Sequence, residues 1–169
     1  GSRVTRSNVG QAGTLDLFKL YGYTLSGTTP NVELSRLLVH FDLSPLRELV
    51  DANRINLNHS SFNVQLKLFD VYGGQPTPDN FTVIVNPLSK SFDEGRGRDV
   101  VLYADLDSCN FITASHVSGT WSTQGFGLGG LASDAVDYIT SASIGGSLVS
   151  MQASQLFVKG DEDLLVDVT

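Results

Sequence analysis

The stretch SFNVQLKLFDV, residues 61–71, carries the clearest structural signal in the chain. Phe62, Val64, Leu66 and Leu68 fall on one side of an extended backbone, and Asn63, Gln65 and Lys67 fall on the other. Alternation of this kind is the period of a strand with one face in a core and one in water. NFTVIVNPL, residues 80–88, repeats it with Phe81, Val83 and Val85, until Pro87 removes a ladder donor. SRLLVHFDLSPL, residues 35–46, reads the same way, with Leu37, Val39 and Phe41 inward and Arg36, His40 and Asp42 outward. TLDLFKLY (14–21) and LLVDVT (164–169) complete the strongest strands, and turn-formers such as SGTTPN and YGGQPTPDN lie between them.

Helix is scarce. SPLRELVD, residues 44–51, predicts one short helix near 45–51, with Ser44 as N-cap and Pro45 at the first helical position. ASDAVDYIT (132–140) is a second candidate, and residues 115–150 otherwise read as Gly- and Ser-rich loops with short strands. Many strands, little helix and no linker predict an all-β chain. The expected fold is one antiparallel β-sandwich with jelly-roll character over residues 1–169.

The composition narrows the function classes. Of 169 residues, 41% are apolar and 17% charged, which excludes a disordered chain, and no run approaches the length of a spanning helix, so no membrane partner is expected. A net charge of −7 argues against nucleic acid, whose phosphates call for a basic face. The charge is uneven: residues 99–169 hold Lys159 against nine acids, a net of −8, while residues 1–98 hold ten cations against nine acids, a net of +1. The skew reads as a solvated face, with a basic partner or cation surface as the alternative.

No catalytic constellation emerges, so no enzyme, cofactor or metal is expected. GFGLGG, residues 125–130, has the glycine spacing of a dinucleotide turn, but a polar stretch precedes it and residues 145–155 lack the acid that would meet a ribose; it reads as a loop. His40, His59 and His116 are far apart in sequence. The single Cys109 excludes an internal disulfide and reads as a buried small hydrophobe, not a nucleophile. Asp105 and Asp107 lack the glycine and distal Glu of a calcium loop. The trio Asp161, Glu162 and Asp163 reads as a solvated turn, with a structural calcium as the alternative. Trp121 is the only tryptophan; it reads as core, and it is the one candidate glycan contact if the chain binds carbohydrate.

Four co-linear pieces, SNVGQAGTLDLF, ELSRLLVHFDLSPL, SFDEGRGRDV and GDEDLLVDVT, resemble the DNRLRE-type jelly-roll domains of tailed-bacteriophage virion proteins, from about residue 5 to Thr169. That family's layout has an Asn-x-Gly loop, a strand ending in F-D-L-S, a long alternating strand, an aromatic-x-E-G corner and a D-V-T edge. Here the corner is Phe92-Asp93-Glu94-Gly95, with Phe where Trp is commoner. The resemblance implies a non-enzymatic virion structural protein, a capsid, tail or fibre component whose partners are other virion proteins or copies of itself. Bacterial relatives imply the alternative, a carbohydrate-binding module of a secreted or cell-surface protein meeting a surface glycan. Family members carry strands beyond the D-V-T segment and before the Asn-x-Gly loop. The resemblance therefore implies a piece of a longer virion protein, its sandwich incomplete at the C-terminus and the edge of residues 164–169 open to strand addition.

Overall fold

Alternation becomes structure where a partner strand lies close enough to share it. The computed structural model describes residues 6–17, 19–23, 30–71, 77–98, 108–116 and 119–169. In chain order the elements are β1 (Lys19–Tyr23), β2 (Pro30–Leu34), α1 (Ser44–Asp51), β3 (Gln65–Leu68), β4 (Phe81–Val85), β5 (Thr113–Ser115), β6 (Gly119–Thr120), β7 (Gly129–Leu131), β8 (Tyr138–Ile144), β9 (Ser147–Ser150), β10 (Ala153–Phe157) and β11 (Leu164–Asp167). They gather into two units, residues 1–38 with 87–151 and residues 39–86 with 152–169. Among the described residues the fold is all-β, with several antiparallel ladders and one short helix.

The second unit holds the alternating stretches. β11 runs antiparallel to β3 with Leu66 opposite Val166 and Leu68 opposite Leu164. β10 runs antiparallel to β4 with Phe81 opposite Phe157 and Val83 opposite Gln155. The inward sides of the two ribbons meet: Phe157, Leu164 and Val166 are buried, and Leu66, Leu68, Phe81, Val83, Val85 and Ala153 pack against them. The Phe81 and Phe157 rings stack at 4.9 Å between centroids, a cross-strand aromatic pair that secures the β4–β10 register.

Gln155 breaks the inward apolar series of β10, and its amide explains why. Its Nε2 donates to the Asp163 carbonyl (2.8 Å) and its Oε1 accepts from the Leu165 N–H (2.7 Å). These two backbone groups lie on the side of β11 turned away from β3, so one side chain stands in for a neighbouring strand there.

Four expectations need correction. The strand expected over 14–21 is absent from 14–17, and β1 begins at Lys19. No strand forms over 35–42; Val39 is 40% and Phe41 57% exposed, and no strand among the described residues pairs with them. The 61–71 strand shrinks to Gln65–Leu68: the His59 carbonyl takes the Phe62 N–H in a turn before it, and Val64 is exposed. Residues 132–140 are not helical: they form a turn that enters β8, which pairs antiparallel with β9 but parallel with β7.

The predicted helix is present with a different cap. Leu43 occupies the N-cap position, Ser44 is the first helical residue, and the Asp42 Oδ1 takes the Ser44 N–H at 2.9 Å. The Ser44 hydroxyl, with that N–H bond second, holds the Asp42 carboxyl below its ordinary range. Asn53, at φ 55°, turns the chain away after the C-cap Ala52. Phe18, Asp105 and Asp107 lie outside the described residues.

Truncating Phe157 to Ala removes the centre of the inter-ribbon core and should cost about 3–5 kcal/mol in urea unfolding. Leu165→Ala, on the outward side of β11, should stay within about 0.5 kcal/mol. Equal costs would place the wrong face of the ribbons inside.

Candidate functional site

The most concentrated chemistry in the first unit surrounds a carboxylate. Asp137 is fully buried at 0% exposure. Its Oδ1 accepts the Ser122 N–H at 2.7 Å and lies 3.1 Å from the Lys90 Nζ. Its Oδ2 accepts the N–H groups of Thr123 and Leu128, each at 3.3 Å. Burial pushes this carboxyl up, but the Ser122 amide, the Lys90 ammonium and the Thr123 and Leu128 amides outweigh it and hold the group below its ordinary range. The buried group is therefore an anion.

The surrounding chain is shaped by that anion. Lys90 also donates to the Ser122 Oγ (2.6 Å) and the Thr120 carbonyl (3.3 Å), so its three protons have three acceptors. Ser89 donates its N–H to the Asp137 carbonyl (3.1 Å) and its hydroxyl to the Val136 carbonyl. The loop between Trp121 and Leu128 bends around the carboxylate with Phe126 at φ 57°, which points that ring at Trp121 (4.9 Å, edge-on) and Tyr138 (5.3 Å). GFGLGG is loop for its first four residues, and its last two open β7.

Trp121 sits inside this wall at 5% exposure, and its Nε1–H donates to the Asn110 carbonyl at 2.8 Å. A glycan contact needs an exposed ring face, and Trp121 presents none. Beside the wall lies an open groove of about 450 Å³ lined by Ser89, Lys90, Ser91, Ala114, Ser115, Gly119 and Thr120. Its hydroxyls suit a polar ligand, whereas Lys90 is already committed to the acceptors beneath it.

A second joint unites two of the quoted motifs. The Asn8 Oδ1 accepts the Gly10 N–H (2.7 Å) and its Nδ2 donates to the Cys109 carbonyl (2.7 Å). Gln11 donates its N–H to the Gly97 carbonyl at 3.0 Å. Gly95 is buried against the Asn8 side chain, where a Cβ would stand 2.0 Å from the Asn8 Oδ1, so no larger residue fits. Asp93 extends the joint: its carbonyl accepts the Cys109 N–H (2.9 Å), and its Oδ2 accepts the His116 N–H (2.9 Å). Burial, with the Asp93 charge second, pushes the Cys109 thiol up to about 11, so it stays protonated at neutral pH.

The remaining candidates stand apart. His40 is exposed, and the His59 Nδ1 is engaged by the Ser61 N–H (3.2 Å) and Oγ (2.8 Å). In the acidic trio, Glu162 accepts the N–H groups of Val158, Lys159 and Gly160, at 3.0, 3.0 and 2.8 Å, and holds the turn before β11. Asp163 accepts the Asp70 N–H (3.0 Å) and pairs with Lys67 (3.5 Å). Among the described residues no group of three His, Cys, Asp or Glu is arranged to hold a metal ion. Asp137 and Lys90 were not singled out from sequence, where 47 residues separate them. Comparison with protein-family models, curated proteins and solved structures finds no match.

Replacing Asp137 by Ala strands three backbone donors and Lys90, and should lower stability by about 3–5 kcal/mol. Trp121 emission, the only tryptophan signal, should shift to the red as the wall loosens. Because the folded carboxyl titrates below its usual 3.8, its contribution is complete above that pH and is lost as pH falls through the folded value. Acid titration of the Asp137→Asn variant should accordingly give a flatter stability profile than that of the parent chain.

Proposed function

We propose that this chain is a structural protein of a tailed-phage virion, a jelly-roll module of the DNRLRE type that works by holding shape and docking to neighbours. The observation that carries the reading is the joint between the Asn8–Gly10 loop and the Gly95–Gly97 corner. Two motifs on which the family resemblance stands, far apart in sequence, are partners in space.

The chemistry of the first unit supports the same reading. Asp137 and Lys90 each have their bonds satisfied by neighbouring protein groups, the arrangement of a structural cross-brace. In the second unit the β3–β11 and β4–β10 ribbons would be facing parts of the two sandwich walls. A carbohydrate-binding module is the second reading, favoured by the hydroxyl-lined groove at Ser89, Ser91, Ser115 and Thr120 and not by Trp121.

Peptide mass spectrometry of density-purified particles should find the parent protein at a fixed copy ratio to the major capsid or tail proteins. Its absence from particles, together with saturable glycan-array binding weakened by Ser115→Ala, would replace the first reading with the second.

A further inference from the structure

Strand β9 has an edge built unlike most edges. β8 and β9 are joined by Gly145 and Gly146, at φ 58° and 83°, a two-residue turn of the kind that matches the twist of a hairpin. Ile144 faces Ser147, Ser143 faces Leu148 and Ala142 faces Val149. With that turn, Ser147 and Val149 direct their backbone groups at β8, as the Met151 N–H does at the Thr140 carbonyl (2.9 Å). Leu148 directs its N–H and C=O outward, and among the described residues no strand pairs with that side of β9.

Natural edges are usually blunted by charge, proline or a bulge. This one carries none of them: from Tyr138 to Val158 there is no Asp, Glu, Lys, Arg, His or Pro, and the β8–β9 register is unbroken. The side chains are exposed as well, with Leu148 at 72% and Ile144 at 58%.

We propose that the outer edge of β9 is a self-association site, to which a second copy of this chain adds its own β9 antiparallel, about a two-fold axis through Leu148. The proposal rests on the structural-assembly reading given above and names the surface and partner. A copy is favoured over a foreign peptide by charge and by symmetry. Two chains of net charge −7 repel, and an uncharged strand lets them approach without opposing like charges. On a two-fold axis the residue at the axis meets its own copy, and Leu148 against Leu148 is an apolar match. Added peptides are otherwise selected by pockets beside the edge, whereas the neighbours here are Ser141, Ser143 and Ser147. The paired Leu148 residues would exchange two backbone hydrogen bonds and join two three-stranded sheets into one. So short an edge buries less than the roughly 1,200 Å² of a stable interface, so the pairing is reversible in dilute solution and filled where copies are concentrated.

Sedimentation and light scattering of the full chain over a wide concentration range test this. A reversible dimer is expected, with Leu148→Lys weakening it at least about tenfold while circular dichroism and the thermal melt are unchanged. Leu148→Cys gives an independent readout: in such a pair the Cα atoms lie about 5.5 Å apart, within disulfide reach. Mild oxidation should therefore yield a covalent dimer from Leu148→Cys, and none from Ser133→Cys or from the parent chain with Cys109 alone. A chain that stays monomeric throughout, or a dimer indifferent to Leu148→Lys with no Leu148→Cys cross-link, overturns the proposal. If the protein is present in particles while Leu148 variants behave as the parent, the β9 site falls and the virion reading stands. If it is absent from particles while the cross-link forms, the virion reading falls and the edge remains.

Discussion

The loop between Trp121 and Leu128, and the strands it leads into, follow from having to satisfy one buried anion. Taking a carboxylate out of water costs several kcal/mol unless hydrogen bonds and a counter-charge replace the lost hydration. Here the replacements come from the backbone of a single loop, at Ser122, Thr123 and Leu128, with Lys90 as counter-charge. Three N–H groups can converge on one side chain only if the loop curls, and the curl places Phe126 in the left-handed region and packs its ring between Trp121 and Tyr138. The aromatic wall is thus a consequence of the carboxylate.

The same group explains the parallel pairing of β7 with β8. Parallel neighbours normally need a crossover of about a dozen residues or more, yet residues 132–137 alone connect these two. Asp137 ties the start of β8 to the start of β7: its N–H donates to the Leu128 carbonyl (2.8 Å) while its Oδ2 receives the Leu128 N–H (3.3 Å). With the strand starts pinned together, Gly129 and Tyr138 begin in register. Gln155 does comparable work in the second unit, where an amide in an inward position completes the far side of β11. In the second unit a polar side chain at a nominally apolar place thus substitutes for a missing strand.

That substitution marks the boundary of what alternation could reveal. FTVIV at 81–85 was legible because every second residue enters a core and the ladder to β10 is regular. Leu66 and Leu68 were legible for the same reason, and the 44–51 helix from the serine and proline at its start. Leu37, Val39 and Phe41 alternate equally well, but periodicity cannot report whether a partner strand lies alongside, and none does among the described residues. Asp137 was invisible for a different reason. Within ASDAVDYIT it resembles a solvent-facing helix residue, and its role depends on Lys90, 47 residues earlier, and on a loop curl with no local signature. The Asn8 and Gly95 motifs were visible, but their contact was not, since sequence order says nothing of which loops touch.

The internal joints also bear on which surfaces remain for other molecules. Edge groups at Asp163 and Leu165 are taken by Gln155, so the D-V-T strand, whose outer side sequence alone leaves open, is partly closed from within. No strand among the described residues pairs with the outer side of β9, and its register places an exposed leucine beside outward backbone groups. A leucine left in water forgoes about 1.5–3 kcal/mol of burial, and selection for solubility would ordinarily replace it with lysine or serine. The acids after residue 98 fall at positions up to 137 and again from 161, leaving the hairpin between them uncharged. Screening confines their repulsion to about 10 Å at 0.1 M salt. Charge thus keeps copies apart along much of the sequence, and the β9 edge is one place where contact sets no like charges against each other.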